Sequence, residues 1–248
     1  MDKMMTTITV VLCVTMLRGN DVERLEELER ICAFEPCDDL TSPEVVPTPA
    51  DIITKYHVST NQVVMDLKTI AAKYTSAELD ERKRNARSHA ISCLGLYGGT
   101  NDLAFLNAIM TNRGDYAQVN ALEASISIQK DSPALIELVN GIVTNTPTYS
   151  YLLRGRTCVL LHRMCRNDNG MYLDNPAQRA RIAAFFVEQA GTNGDLAITM
   201  DIRACELNPW YRHSQQRRDN LARLRPPGLT GRPKKIYDAA QRDAAQED

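Results

Sequence analysis

Residues 77–112, AELDERKRNARSHAISCLGLYGGTNDLAFLNAIMTN, contain two helical patterns with a short break between them. The first pattern ends at Gly98 and Gly99, and glycine commonly follows the last turn of a helix. Asn101 is of the residue type that caps the start of the helix that follows. The stretch therefore predicts a pair of helices joined by a short loop.

The stretch that follows repeats this pattern at a distance of about 32 residues. A shift of 32 aligns four apolar pairs, which are Leu94 with Ile126, Leu96 with Ile128, Leu103 with Leu135, and Leu106 with Leu138. One further residue of offset aligns IMTN at 109–112 with IVTN at 142–145. Self-similarity at this period indicates stacked helix pairs. Chance similarity between amphipathic helices of an ordinary bundle is the alternative.

The run RNARSHAISCLGLYGGTNDLAFLNAIM, residues 84–110, resembles a HEAT repeat. It has Arg, Ala and Leu-Gly positions in its first helix and a leucine-rich second helix, and the likeness extends from about Ala77 to Gly191. The second copy lacks the Leu-Gly pair, and the third has an enlarged loop. The resemblance implies an all-α fold, a right-handed solenoid of antiparallel helix pairs, and a binding or scaffolding role with no catalytic residues to carry over.

The composition is that of a folded protein, because 44% of the 248 residues are hydrophobic. The formal net charge of −2 does not indicate a nucleic-acid or acidic-membrane partner for the chain as a whole. We expect a short amphipathic helix and a Pro-rich linker in residues 21–48. The helical repeat domain would then occupy residues 49–225, and a charged tail would occupy residues 226–248.

The first twenty residues have the pattern of an export signal. Lys3 precedes an uncharged run, Met4–Leu17, which is too short to span a bilayer as a helix. A buried strand is the alternative, but no later apolar run has comparable strand character. We therefore expect residues 1–20 to be a signal peptide and the protein to be exported, with no transmembrane span in the mature chain.

Cysteines suggest one disulfide and one stripe of core residues. Cys32 and Cys37, in CAFEPC, could close a small loop in an oxidising compartment. Cys158, His162 and Cys165 share a helical face and are zinc-ligand types, but no nearby pair completes a set of four ligands. We interpret the three as core positions, and we expect neither a metal nor a cofactor.

Residues 51–71, DIITKYHVSTNQVVMDLKTIA, predict two helices with a turn at 56–58 and a cap at Ser59 or Thr60. The positions expected to face inward are Ile53, Val58, Val63, Leu67 and Ile70. The stretch also resembles a helix-turn-helix, whose second helix would present Asn61, Gln62 and Lys68 to DNA. Its two lysines are balanced by two aspartates, and phosphate binding depends on excess positive charge. We therefore prefer two packed helices, and a cytoplasmic helix-turn-helix DNA-binding regulator remains the alternative.

The densest cluster of charge is in residues 212–235, where eight Lys or Arg residues face Asp219 alone. These candidate contacts for an anion or a partner are Arg212, Arg217, Arg218, Arg223, Arg225, Arg232, Lys234 and Lys235. A solvated terminal helix and tail is the alternative interpretation. The expected partner is another protein or a polyanionic surface, and nucleic acid is disfavoured.

Catalytic signatures are absent from the sequence: it has no Gly-rich phosphate loop, no G-x-S-x-G turn, and four scattered histidines. The sequence therefore favours an exported helical-repeat binding or scaffolding module without catalytic activity over an enzyme.

The export prediction can be checked by N-terminal sequencing of protein recovered from its native host. We expect the mature chain to begin between Gly19 and Val22, because the uncharged run ends just before them. Intact Met1 in the cytosolic fraction would contradict export and favour the DNA-binding alternative.

Overall fold

The computed structural model describes residues 19–33, 48–75, 80–166, 173–192, 195–224 and 231–245. All regular structure in these ranges is helical, so the all-α prediction is confirmed. The helices are α1 (Gly19–Ala33), α2 (Pro49–Tyr56), α3 (Thr60–Lys73), α4 (Glu81–Tyr97), a 3-10 turn (Thr100–Asp102), α5 (Leu103–Thr111), α6 (Gln118–Gln129), α7 (Leu135–Thr144), α8 (Tyr151–Arg166), α9 (Pro176–Thr192), α10 (Ala197–Leu207), α11 (Pro209–Arg212), α12 (Gln215–Arg223) and α13 (Gly231–Ala245).

The chain divides into two compact units, Met1–Ile128 and Gln129–Asp248, with the boundary at the end of α6. The uncharged run at residues 4–17 lies outside the described residues. None of the helices in the described part of the chain is long and apolar enough to cross a membrane.

In unit 1, α4 packs against both α3 and α1. The core between them contains Leu28, Leu67 and Ile91, whose side chains are inaccessible to solvent. Gly95 allows α4 to approach α6 closely, because a Cβ atom there would lie 2.8 Å from the Cα of Ala124. The glycine of the Leu-Gly pair thus has a packing role.

The two helices predicted in residues 51–71 form as expected. His57 has a φ of 52°, in the left-handed region that ends a helix, and it separates α2 from α3. The hydroxyl of Ser59 then caps α3 by accepting from the backbone N–H of Gln62 at 3.2 Å. The predicted turn and cap therefore agree with the structure.

The inward face of this helix pair is partly as predicted. Val63, Leu67 and Ile70 are fully buried. Ile53 and Val58 are only half-buried, and Ile52 takes the core position of α2 instead. Periodicity places two adjacent isoleucines about equally well on a stripe, so only the direction of packing decides between them.

In unit 2, α10 packs against α9 and α8. The last helix, α13, packs on α12 by burying Tyr237, Ala240 and Ala244 against Leu221. The hydroxyl of Tyr237 also donates to the carbonyl of Leu221 at 2.7 Å. This helix replaces the charged tail expected at 226–248, because its buried face is made mainly of alanines, which contribute little to an apolar signal.

Four buried arginines recur along the chain. Arg24, Arg87, Arg154 and Arg217 are separated by 63, 67 and 63 residues and are each at most 4% exposed. Each guanidinium forms hydrogen bonds with a carboxylate from another helix or from the residues just before one. We refer to them as the buried Arg–Asp pairs after their arginines, because the side chains of Asp195 and Asp243 are 45% and 38% exposed.

In unit 1, Arg24 of α1 donates to Asp66 of α3 at 2.7 Å and 3.3 Å. Arg87 of α4 donates from Nε to the carbonyl of Ala71 near the end of α3, at 2.7 Å. Its two Nη atoms each donate to one oxygen of Asp115, before α6, at 2.6 Å. The two arginines therefore connect α1, α3, α4 and α6.

In unit 2, Arg154 of α8 repeats the geometry of Arg87. Its Nε donates to the carbonyl of Val143 near the end of α7 at 2.6 Å, and both Nη atoms donate to Asp195, before α10, at 2.7 Å. This pairing lowers the pKa of Asp195. Arg217 of α12 pairs with Asp201 of α10 and Asp243 of α13.

Replacing Arg87 with Met should lower the free energy of unfolding by about 3–5 kcal/mol, because the Asp115 carboxylate would be left buried without its cation. Urea denaturation measures the change, with Arg82→Met on the exposed side of α4 as the matched control.

The double variant Arg87→Met with Asp115→Leu should recover much of that loss, because it leaves no uncompensated charge. A loss for Arg87→Met no larger than that of Arg82→Met would contradict a structural role for the pair.

Candidate functional site

A short turn of unit 2, α11, is fixed firmly to the helices around it. Pro209 occupies the first helical turn, where its missing N–H costs nothing. Tyr211 is 3% exposed, and its hydroxyl accepts from Nδ2 of Asn220 at 3.1 Å. Asn220 also donates to the carbonyl of Val187 at 3.3 Å. Burial raises the pKa of Tyr211 to about 12, so the side chain stays neutral as an anchor.

This anchored turn presents the single Trp of the chain to solvent. Trp210 is 90% exposed, although the next residue of α11, Tyr211, is anchored in the core. Trp and Arg are the side chains that most often carry the binding energy of protein interfaces. Trp210 and Arg212 stand in the same four-residue helix, which points to a contact surface.

A groove of about 330 Å³ lies between α10, α11 and α13. It is lined by Ile202, Cys205, Glu206, Arg212, Arg217, Ile236, Ala239, Ala240 and Asp243. Ile202 and Ile236 are 36% and 37% exposed, so the groove offers apolar surface to solvent. Arg212 is the only cation of this lining that is itself exposed.

Arg217 supports one wall of the groove. Its guanidinium donates to both oxygens of Asp201 at 3.0–3.1 Å and to Asp243 at 2.6 Å. It also donates to the carbonyl of Arg212 at 2.9 Å, which fixes the end of α11. Arg217 lowers the pKa of Asp243, so this carboxylate stays ionised near neutral pH.

The eight cations predicted as anion contacts are separated by the fold. Arg217 is internal, and Arg218 is half-buried and donates to the carbonyls of His213 and Ala244. The exposed members are Arg212, Arg223, Lys234 and Lys235. Arg225 and the side chain of Arg232 lie outside what the structure describes.

A local count of charge missed this separation because the neutralising carboxylates are distant in sequence. Asp201 and Asp243 both lie outside residues 212–235. The signal available in the sequence is the regular spacing of the four arginines, which a count of local charge does not detect.

The other proposed contact residues are placed as follows. Asn61 is exposed, but Gln62 donates to Asp66 at 3.1 Å, and Lys68 is paired with Asp102. Lys68 is thus partly neutralised within unit 1.

The zinc-like stripe of α8 packs inside unit 2. His162 lies with its Nε2 atom 2.8 Å from an oxygen of Glu206, and Cys158 is fully buried. Within the described ranges, His, Cys, Asp and Glu form no group of three or more able to hold a metal ion. Cys32 is buried, and its predicted partner Cys37 lies outside the described residues.

A second cavity in unit 2, of about 510 Å³, has an entirely polar lining. Its lining includes Arg154 and Asp195, whose charged groups already form two hydrogen bonds with each other. The groove beside α11 is therefore the better candidate for binding, since it combines apolar surface with the exposed Arg212, which shares its four-residue helix with Trp210.

Comparison with family models, with curated proteins and with solved structures finds no match.

Acrylamide should quench the tryptophan fluorescence of the folded protein almost as steeply as that of free tryptophan amide, because Trp210 is 90% exposed. Repeating the measurement in denaturant gives the control. A quenching slope that rises severalfold on unfolding would show that Trp210 is covered in solution.

Proposed function

We propose that this protein is an exported helical-repeat binding module without catalytic activity, and that its groove beside α11 binds an acidic segment of another protein. The observation that carries the proposal is Trp210, held 90% exposed on a turn whose next residue is anchored in the core. A rigid aromatic side chain loses little conformational entropy on binding, so it suits an interface.

The helical-repeat part of the proposal is supported by burial at equivalent positions. Leu94 and Ile126, which a shift of 32 aligns, are both inaccessible to solvent. In the second helices an offset of 33 aligns buried residues better, pairing Leu106 with Val139, Ile109 with Ile142, and Met110 with Val143. This recurrence is what a HEAT-like solenoid requires of successive helix pairs.

The chemistry of the groove indicates which segment would bind. Its apolar wall, with Ile202 and Ile236, suits an aliphatic side chain. Glu206 is already occupied by Arg203 at 2.7 Å, and Asp243 by Arg217 at 2.6 Å. Arg212, the exposed cation of the lining, has only a 3.7 Å contact with Asp243, which Arg217 already neutralises, so an acidic segment would compete with a weak ion pair.

The runner-up is the cytoplasmic helix-turn-helix DNA-binding regulator that would use residues 51–71. The specific observation in its favour is that α2 and α3 are joined by the predicted turn, with Asn61 exposed at the start of α3. The pairing of Lys68 with Asp102 weighs against it, since a phosphate contact needs an available cation.

The proposed function can be tested with a synthetic octapeptide of alternating glutamate and leucine. Because the one Trp of the chain lies two residues before Arg212 of the groove, we expect a saturable shift of its emission to shorter wavelength. Arg212→Ala and Ile236→Asp should each weaken binding by more than about 1 kcal/mol, roughly fivefold or more. Arg82→Ala, on the exposed side of α4 in unit 1, is the matched control.

Two comparison peptides separate the alternatives. An octapeptide of alternating lysine and leucine should not bind if the partner is acidic. Equal binding of polyglutamate without apolar residues would favour a polyanionic surface as the partner. Unchanged affinity in both variants would contradict a role for the groove.

A further inference from the structure

Two cysteines of unit 1 lie on helices that pack against each other, α1 and α4. Cys32, in the last turn of α1, is 2% exposed, and Cys93 of α4 is half-buried. The interaction between the two side chains raises the pKa of Cys32 and lowers the pKa of Cys93. The backbone of Cys32 is held as well, since Nδ1 of His89 lies 2.7 Å from its carbonyl oxygen. His89 is one turn before Cys93, so α4 holds Cys32 at two points.

Cys93 differs chemically from the other described cysteines. The hydrogen bond with Cys32 lowers the pKa of Cys93. Burial raises the pKa of Cys158 and Cys205 to about 12, and that of Cys165 to about 11. Because the thiolate is the nucleophilic form, this difference favours Cys93 as the attacking thiol. Its partial exposure leaves it open to a small reagent.

We propose that Cys93 and Cys32 form a reactive pair, in which Cys93 attacks a small-molecule disulfide and Cys32 then closes an intramolecular disulfide between α1 and α4. This partner for Cys32 differs from Cys37, the partner suggested by spacing in the sequence. The proposal is independent of the groove in unit 2.

With oxidised glutathione as the oxidant, the exchange balances in two steps. The Cys93 thiolate attacks one glutathione sulfur, the glutathione S–S bond breaks, and one glutathione thiolate leaves. Cys32 then loses its proton to solvent and attacks the Cys93 sulfur of the mixed disulfide, which releases the second glutathione. The two protein thiols are oxidised, and one glutathione disulfide is reduced to two thiols.

The placement of the two residues suits these roles. The half-buried Cys93 can meet the oxidant, whereas Cys32 cannot because it is almost fully enclosed. Once the mixed disulfide forms, Cys32 is already beside its target, so the second step is intramolecular and has a high effective concentration. The closed loop encloses α2 and α3, and it constrains the unfolded chain more than the folded one.

Peptide mapping of the full-length protein tests the proposal. The reduced protein is treated with oxidised glutathione, the remaining thiols are blocked with N-ethylmaleimide, and trypsin with chymotrypsin is applied without reductant. Chymotrypsin is needed because a tryptic peptide would contain both Cys32 and Cys37, and it can cleave between them after Phe34. We expect a linked pair of peptides containing Cys32 and Cys93, lighter by two hydrogens than their reduced sum.

Variants and a second readout complete the test. Cys37→Ser and Cys165→Ser should still form the link, and Cys93→Ser should lose it. Oxidation should raise the urea midpoint of the wild-type protein, and dithiothreitol should reverse the rise. A link between Cys32 and Cys37, or a glutathione adduct that stays on Cys93, would overturn the proposal. The proposal would also be overturned if a control alkylation modified Cys165 but left Cys93 unreacted.

Discussion

The buried Arg–Asp pairs are the interaction on which the packing of these short helices depends. A guanidinium that leaves water must have its donors satisfied, and a carboxylate that does so must have its charge balanced. Arg87 meets this requirement only when the end of α3 and the start of α6 lie where Ala71 and Asp115 place them. The ion pair therefore selects one relative placement of helices that are too short to be stable alone. Apolar burial supplies most of the stability, and the pairs specify its geometry.

The same interaction reaches the candidate site of unit 2. Arg217 joins α10 to α13 through Asp201 and Asp243, and these two helices form the walls of the groove. Its hydrogen bond to the carbonyl of Arg212 fixes the turn that presents Trp210. The buried side chain of Arg217 therefore positions the turn that carries the exposed Trp210 and Arg212. A binding surface of this kind is largely preformed, which reduces the ordering cost of association.

Local features were predictable from the sequence, and long-range pairings were not. The turn at His57 and the cap at Ser59 depend on residues within one turn, so their residue types indicate them. The sequence did not indicate helix α13, because the alanines of its buried face, Ala240 and Ala244, are only weakly hydrophobic. Arg217 was counted as a surface cation because its carboxylates come from other helices. The pairing of Arg217 therefore depends on residues that are distant from it in the sequence.

The two units carry arginines and aspartates of the ion pairs in the same order along the chain, and their difference bears on where the candidate site lies. Unit 1 contains Arg24, Asp66, Arg87 and Asp115, and unit 2 contains Arg154, Asp195, Arg217 and Asp243. Arg87 lies in α4, which follows α3 with no helix between them in the described residues, whereas the short helix α11 lies between α10 and α12, just before Arg217. This short helix leaves Trp210 exposed to solvent while Tyr211 stays in the core. A shared framework of ion pairs thus accommodates the additional short helix α11, and the exposed Trp210 and Arg212 of this helix are what make it the candidate contact surface.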